Sequence, residues 1–203
     1  MYNISTIIFD LGGVLIDWNP RYVYRTIFDT EEKIDWFLQH ICTNDWNEKQ
    51  DEGYPIIKAV EEKVAQFPEW EKEIRAYYDR WAEMLGGPIN ETVELFRQLK
   101  ENSNLKFYAL TNWSAELFPV ALGRYDFLHW FDGRVVSGEE KTRKPFPGIY
   151  QRLLDRYDVK ASDALFIDDS LRNVKGAEAV GIKSIHFKNP QQLQENLSGL
   201  QLF

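Results

Sequence analysis

Asp10 closes the run Thr6-Ile7-Ile8-Phe9 and is followed, after Leu11, by Gly12 and Gly13. A short apolar, β-branched run is the pattern of a buried strand. Two glycines admit backbone conformations and a close ligand approach that other residues refuse. The carboxylate therefore belongs at the carboxyl end of a buried strand, where open α/β sheets bind ligands. An aspartate ahead of glycines also serves a turn by bonding its own backbone, and this segment alone fits both roles. A carboxylate pair, Asp168-Asp169, follows Leu165-Phe166-Ile167. Adjacent carboxylates repel unless hydrogen-bonded or bound to a cation, and an all-oxygen donor set suits a hard ion such as Mg²⁺. A turn needs one aspartate here, not two.

Two further segments carry polar groups to strand ends. Ala109-Leu110 runs into Thr111-Asn112-Trp113-Ser114, whose hydroxyls and amide offer donors to an anion beside a helix end. Capping of that helix by Thr111 or Ser114 is the plainer role. Lys144 precedes Pro145 and Pro147. Proline suits the first helical turn, so Lys144 is held in a rigid approach to the helix through Tyr150 and can neutralise an oxyanion. A lone lysine is otherwise usually a solvated surface charge.

These residues need elements to position them. Strand patterns cover Ile4 to Phe9, Lys106 to Leu110, Arg134 to Val136, Ala164 to Ile167 and Ser184 to Phe187. Helical patterns cover Asn90 to Asn102, Pro147 to Tyr157 and Asn173 to Val180, the last ended by Gly181 as a C-cap. Strands alternating with helices predict βαβ units and a parallel sheet: an α/β, Rossmann-like three-layer core. Between Asp17 and Pro88 the strand pattern stops. Arg21 to Phe28, Glu31 to His40, Ile56 to Gln66 and Glu69 to Met84 are charged and aromatic with apolar positions at helical spacing. An all-helical domain is therefore expected over 17–88, closed by a Gly86-Gly87-Pro88 linker, within a core of 1–16 and 89–203. Its aromatic residues, Trp36, Trp46, Trp70 and Trp81 among them, are expected to form chiefly its own core.

Composition narrows the function classes. A net charge of −8 disfavours nucleic-acid and anionic-membrane surfaces. The single cysteine, Cys42, excludes an intrachain disulfide and a cysteine-rich metal site. His40, His129 and His186 lack the spacing of metal ligands. No leader pattern opens Met1 to Thr6 and no apolar run is long enough to span a bilayer, so a cytoplasmic location is expected. The sequence leaves monomer and homodimer equally open.

In order along the chain stand a carboxylate, a Thr-Asn pair, a Lys-Pro and an Asp-Asp, each at a strand-to-helix junction. This pattern closely resembles the haloacid dehalogenase superfamily, in its subfamily with a helical cap inserted after the first strand; the resemblance extends from Ile7 to Phe187. It implies that Asp10 is a nucleophile forming an aspartyl-phosphate, with Lys144 and Thr111 as its catalytic partners. It implies Mg²⁺ held by Asp10, the Gly12 carbonyl, Asp169 and Asp168, the last directly or through water. It implies phosphate contacts from Thr111, Asn112, Lys144, Gly12 and Gly13, and a small phosphorylated metabolite as substrate. In the cap, Trp46, Asn47, Asp51 and Tyr54 are candidates for substrate selection by their place in a cap turn.

One departure from the family pattern matters. Phosphatases of this superfamily commonly carry a second aspartate two residues after the nucleophile, as proton donor; here that residue is Gly12. Asp17 is a poor substitute on spacing. General acid–base help is worth roughly 10²–10⁴-fold, so slow turnover of poor leaving groups is expected. The same gap fits a metal-free 2-haloacid dehalogenase, with Asp168, Ser170 and Asn173 in its last motif and Arg21 or Arg25 on the substrate carboxylate. It also fits a degenerate protein that only binds a phosphorylated ligand.

Overall fold

The first strand, β1 (Thr6–Phe9), sorts its side chains by alternation. Ile7 and Phe9 join the larger apolar cluster, with Phe96 and Phe107, while Ile8 joins the cluster on the opposite face with Tyr150 and Phe166. A strand buried on both faces is the centre of a layered α/β sheet. In this computed structural model, which describes residues 4–102 and 104–202, the sheet has five strands. The first three residues of the Met1–Thr6 segment, residue 103 and residue 203 lie outside the described residues.

Two strands of the inserted segment, β2 (Ile16–Trp18) and β3 (Leu85–Pro88), follow β1 in chain order. The remaining sheet strands are β4 (Lys106–Thr111), β5 (Gly133–Val136), β6 (Ala164–Asp168) and β7 (Lys183–His186). Their spatial order is β5-β4-β1-β6-β7, with all neighbours parallel. Phe9 pairs with Ala109 and Ile167, so β1, β4 and β6 end side by side. Helices Asn90–Asn102, Pro147–Tyr157 and Leu171–Ala179 provide crossovers between strands. The last ends as its sequence predicts: Gly181 has φ +87°, and the Ile182 N–H returns to the Ala177 carbonyl.

The inserted segment holds helices Arg21–Tyr24, Glu31–His40, Asn44–Asp51, Ile56–Gln66 and Glu71–Asp79. Most of its aromatics do form a core. Phe37 lies 4.9 Å from Tyr24 and 5.6 Å from Trp70, centroid to centroid. The helices expected over Arg21 to Phe28 and Glu69 to Met84 are shorter, and two further details differ from the sequence expectation. The entry and exit of the segment are not a plain linker: β2 and β3 pair antiparallel, Asp17 opposite Gly87. Such short, glycine-rich pieces carry too little apolar alternation to show as strands. The predicted turn around Asn47 is an eight-residue helix, Asn44–Asp51, capped by the Thr43 hydroxyl accepting the Trp46 N–H at 3.2 Å. Its sequence is almost wholly polar, so an apolar period could not reveal it.

Candidate active site

Asp10 sits where β1 ends, its N–H donating to the Ile167 carbonyl of β6 at 2.8 Å. Its Oδ1 accepts the Leu11 N–H at 2.7 Å and lies 2.8 Å from Lys144 Nζ. No hydrogen-bond partner occupies Oδ2 among the described residues, which leaves one oxygen able to attack or to ligate. The Lys144 side chain is completely buried, and its ammonium also donates to Asp168 Oδ2 at 2.7 Å and to the Leu110 carbonyl at 2.9 Å. A buried ammonium is tolerable only when paired and hydrogen-bonded. Burial works against the charged lysine, but Asp10 and Asp168 outweigh it and hold its pKa above the usual range. Burial pushes the Asp10 carboxyl well up, opposed by Lys144 and reinforced by Asp168 and Asp169.

Asp168 is saturated. Its Oδ1 accepts the Ser170 N–H at 2.7 Å, and both oxygens lie within 3.2 Å of Asn173 Nδ2. Its direct partner is Lys144, so its free lone pairs suit a metal only weakly. Asp169 differs: its carboxylate packs over Gly13, where an added Cβ would stand 2.3 Å from Oδ2. The glycine's missing side chain and its φ of +74° make that approach possible. Burial and the adjacent Asp168 raise the Asp169 carboxyl, against Lys144.

Carboxylate oxygens of Asp10, Asp168 and Asp169 lie within 4.8 Å of one another. The Gly12 carbonyl has no hydrogen-bond partner among the described residues, since the turn beyond it pairs Gly13 N–H with Ile16 O and Ile16 N–H with Leu11 O. Three carboxylates crowded into a buried strand end beside a backbone carbonyl form an oxygen donor set that fits one hard divalent cation. The histidines do other work: His40, His129 and His186 each bond a backbone carbonyl.

A cleft of about 230 Å³ opens on this cluster. Asp10, Gly12, Gly13, Asn112, Asp169 and Asn173 line it from the sheet end, with Trp113 and Leu117 beside them. Asn44, Asn47, Glu48 and Asp51 line it from the inserted segment, as do Trp18 and Trp81. The four helix residues fall at i, i+3, i+4 and i+7, one face of Asn44–Asp51. That face is anchored to the sheet side. Glu48 Oε2 lies 2.9 Å from Arg143 Nη2, and Oε1 pairs with Arg172. The Ser114 N–H donates to the Asp51 carboxylate and the Ser137 hydroxyl to the Asp51 carbonyl.

Several expected site residues stand elsewhere or do something else. Thr111 and Lys144 do not line the open cleft; both are buried. Asn112 lines it, yet its side-chain amide clamps the Lys144 backbone in both directions, Nδ2 to Lys144 O at 3.0 Å and Oδ1 from Lys144 N at 2.8 Å. Trp46 lies off the cleft-facing side of its helix, 5.3 Å from the Tyr77 and Tyr78 rings. Tyr54 lies beyond the helix end and donates to Glu62 at 2.7 Å. Both border a separate cavity. Arg21 and Arg25 are engaged on the surface with Glu31, and Arg21 also with Asp35. Asn44, Glu48, Arg172, Trp18 and Trp81 escaped the sequence reading, although the polar i, i+3, i+4, i+7 pattern was there to find.

Residues 4–181 match the family model of haloacid dehalogenase-like hydrolases. The chain belongs to that family. The hydrolase is 30% identical over 179 residues to a sesquiterpene phosphatase of Aspergillus oryzae, covering 88% of this chain and 87% of that protein. It is 25% identical to a phosphorylated carbohydrates phosphatase of Thermotoga maritima, over 90% of this chain and 84% of the other. In fold it resembles a HAD family enzyme of Bacteroides thetaiotaomicron solved in a magnesium complex, with TM-score 0.71, 23% identity and coverage of 92% and 94%. Among the described residues no helix is long and apolar enough to cross a membrane.

Proposed function

We propose that this hydrolase is a Mg²⁺-dependent phosphomonoesterase acting on a small phosphorylated metabolite through an aspartyl-phosphate on Asp10. The observation that carries this reading is the Asp169 carboxylate lying over Gly13 beside Asp10. A metal-free displacement has no use for a second acid crowded there. Asp10, the Gly12 carbonyl and Asp169 would hold the ion, with Asp168 contributing through water. When bound, Mg²⁺ offsets the repulsion between carboxylate and phosphate and stabilises charge on the transferring group.

The chain's own residues then divide the work. Asp10 Oδ2 attacks phosphorus while Oδ1 stays fixed by Leu11 N–H and Lys144. Lys144 supplies positive charge beneath the reacting oxygens, and Asp168, with Ser170 and Asn173, fixes its position. Asn112 orients the Lys144 loop. Residues 17–88 act as a cap over the remaining core, its Asn44–Asp51 helix facing the leaving group. Trp18, Trp81 and Trp113 offer flat apolar faces and Asn44 and Asn47 offer amides, which suits an alcohol bearing both ring surface and hydroxyls. The names of the sesquiterpene and carbohydrate phosphatases support the two halves of that description.

The test is phosphate release across sugar phosphates, nucleotides, short-chain and prenyl phosphates, with Mg²⁺ and with EDTA. Release on at least one class, abolished by EDTA and restored by Mg²⁺, is expected. Metal-independent halide release from a 2-haloacid, with no phosphatase activity, would favour the dehalogenase reading instead.

A further inference from the structure

The cleft contains four acids, Asp10, Glu48, Asp51 and Asp169. Asp10 is paired with Lys144 and Glu48 with Arg143 and Arg172, while Asp169 belongs to the metal cluster. Asp51 alone of the four has no ion pair among the described residues and no place in that cluster. Its carboxylate is nevertheless aimed: Asn47 Nδ2 donates to Oδ2 at 3.0 Å and Ser114 N–H donates from the loop after β4. Opposite stands Gly12, where an added Cβ would meet nothing within 4 Å. The side chain missing from Gly12 thus leaves open room in a cleft that Asp51 enters from the other wall. Asp17 has no such access, since its carboxylate accepts the Tyr22 hydroxyl at 2.5 Å and does not line the cleft.

We infer that Asp51, delivered by the helical insertion, is the proton donor to the leaving group and the base for the second step, in place of an acid at Gly12. The inference rests on the phosphomonoesterase reading above. In the first step the Asp10 oxygen bonds to phosphorus, the ester P–O bond breaks, and the Asp51 proton passes to the departing oxygen. In the second, water attacks the aspartyl-phosphate and gives its proton to Asp51. The P–O bond to Asp10 breaks, releasing phosphate and restoring both carboxyls. Burial independently favours this assignment, raising the Asp51 carboxyl to about 7 against Ser114 N–H, Arg143 and Lys144. Other titratable groups around it are Tyr77 and Tyr78 from Glu71–Asp79, Lys141 bonded to Gly53 O, and Glu48 and Glu52 paired with Arg143.

The experiment compares p-nitrophenyl phosphate, whose leaving group needs no proton, with an alkyl phosphate that does, in the native chain, Asp51→Asn and Asp51→Asn/Gly12→Asp. Asparagine keeps an acceptor for Ser114 N–H, so the anchor survives. We expect the single-turnover rate of alcohol release from the alkyl ester to fall roughly 10²–10⁴-fold in Asp51→Asn and the burst rate of p-nitrophenol release by no more than about tenfold, the lost second-step base slowing both esters only after that release. The basic limb of the alkyl-ester kcat profile, near pH 7 from the Asp51 pKa, should disappear, and Gly12→Asp should restore much of the lost rate. Equal losses of these first-step rates on both esters, or none on either, would overturn the assignment. Inactivity of the native chain on both esters would remove the phosphatase reading and this inference with it. Native aryl-ester activity separates that outcome from failure of Asp51 alone.

Discussion

The ends of β1, β4 and β6 and the face of the Asn44–Asp51 helix confront each other across one cleft, but they are built differently. At the sheet end, charge is concentrated: a buried ammonium sits on two carboxylates and a carbonyl, and each carboxylate accepts a backbone N–H. On the helix face, Asn47 and Gln50 share the Tyr78 hydroxyl, and Glu48 reaches back to arginines of the core. The first arrangement is preorganised for one kind of charge development. The second ties the helix to the core by ion pairs while its amides and acids face the cleft. On the proposed reading, phosphate chemistry belongs to the sheet and selection of the alcohol to the helix.

Substitutions at the two walls should separate these roles. The largest effect is expected at Asp10. Asp10→Asn should lower phosphate release by 10³-fold or more, on the order expected for a missing nucleophile, with near-native urea denaturation. Lys144→Met should cost about 3–5 kcal/mol in the same unfolding experiment, because Asp10 and Asp168 would be left buried without their cation. Both changes act on chemistry or folding irrespective of the ester chosen. Equal sensitivity to leaving group and phosphate at this wall would break the comparison.

The helix wall should respond otherwise. Glu48→Gln leaves Arg143 and Arg172 without their shared carboxylate, costing about 1–3 kcal/mol, and should raise KM for the preferred ester more than it lowers kcat. Asp51 adds a pH signature in stability. Its folded pKa is raised to about 7, so its favourable contribution is complete below the unfolded value near 4 and is lost as pH rises through about 7. Relative to Asp51→Asn, the native chain should lose on the order of 4 kcal/mol across that window, read as urea midpoints on either side of it. The smallest effect belongs to exposed ion pairs away from both walls. Arg97→Ala, which removes contacts to Glu94 and Glu101, should change stability by no more than about 1 kcal/mol.

The sheet wall was legible in the sequence because strand ends leave a mark. Ile7-Ile8-Phe9 before Asp10, and Leu165-Phe166-Ile167 before Asp168, give apolar runs that stop at a carboxylate, and parallel pairing then brings the ends together. Helices Glu31–His40, Ile56–Gln66 and Pro147–Tyr157 match their predicted spans, since each buries an apolar stripe. The helix wall was legible only in Asn47 and Asp51, and the helix carrying them was not, for the opposite reason. Asn44–Asp51 buries polar groups, Asn47, Glu48 and Gln50, against partners distant in sequence. Trp46 was drawn into the site by its place in the expected cap turn, yet it packs with the aromatic core on the helix's other side. Asn112 shows the limit within the sheet wall itself: residue type announced an anion ligand, and only the loop geometry reveals a clamp on Lys144.

Everything assigned to the sheet wall depends on the free oxygen of Asp10 becoming bonded to phosphorus. Borohydride reduction during turnover of an aryl phosphate, followed by peptide mass analysis, reads that bond directly, because an acyl phosphate is reduced to homoserine. The account predicts homoserine at position 10, dependent on added Mg²⁺ and absent when EDTA is present. Turnover of the phosphate with Asp10 unreduced, or with the label on another residue, would contradict it.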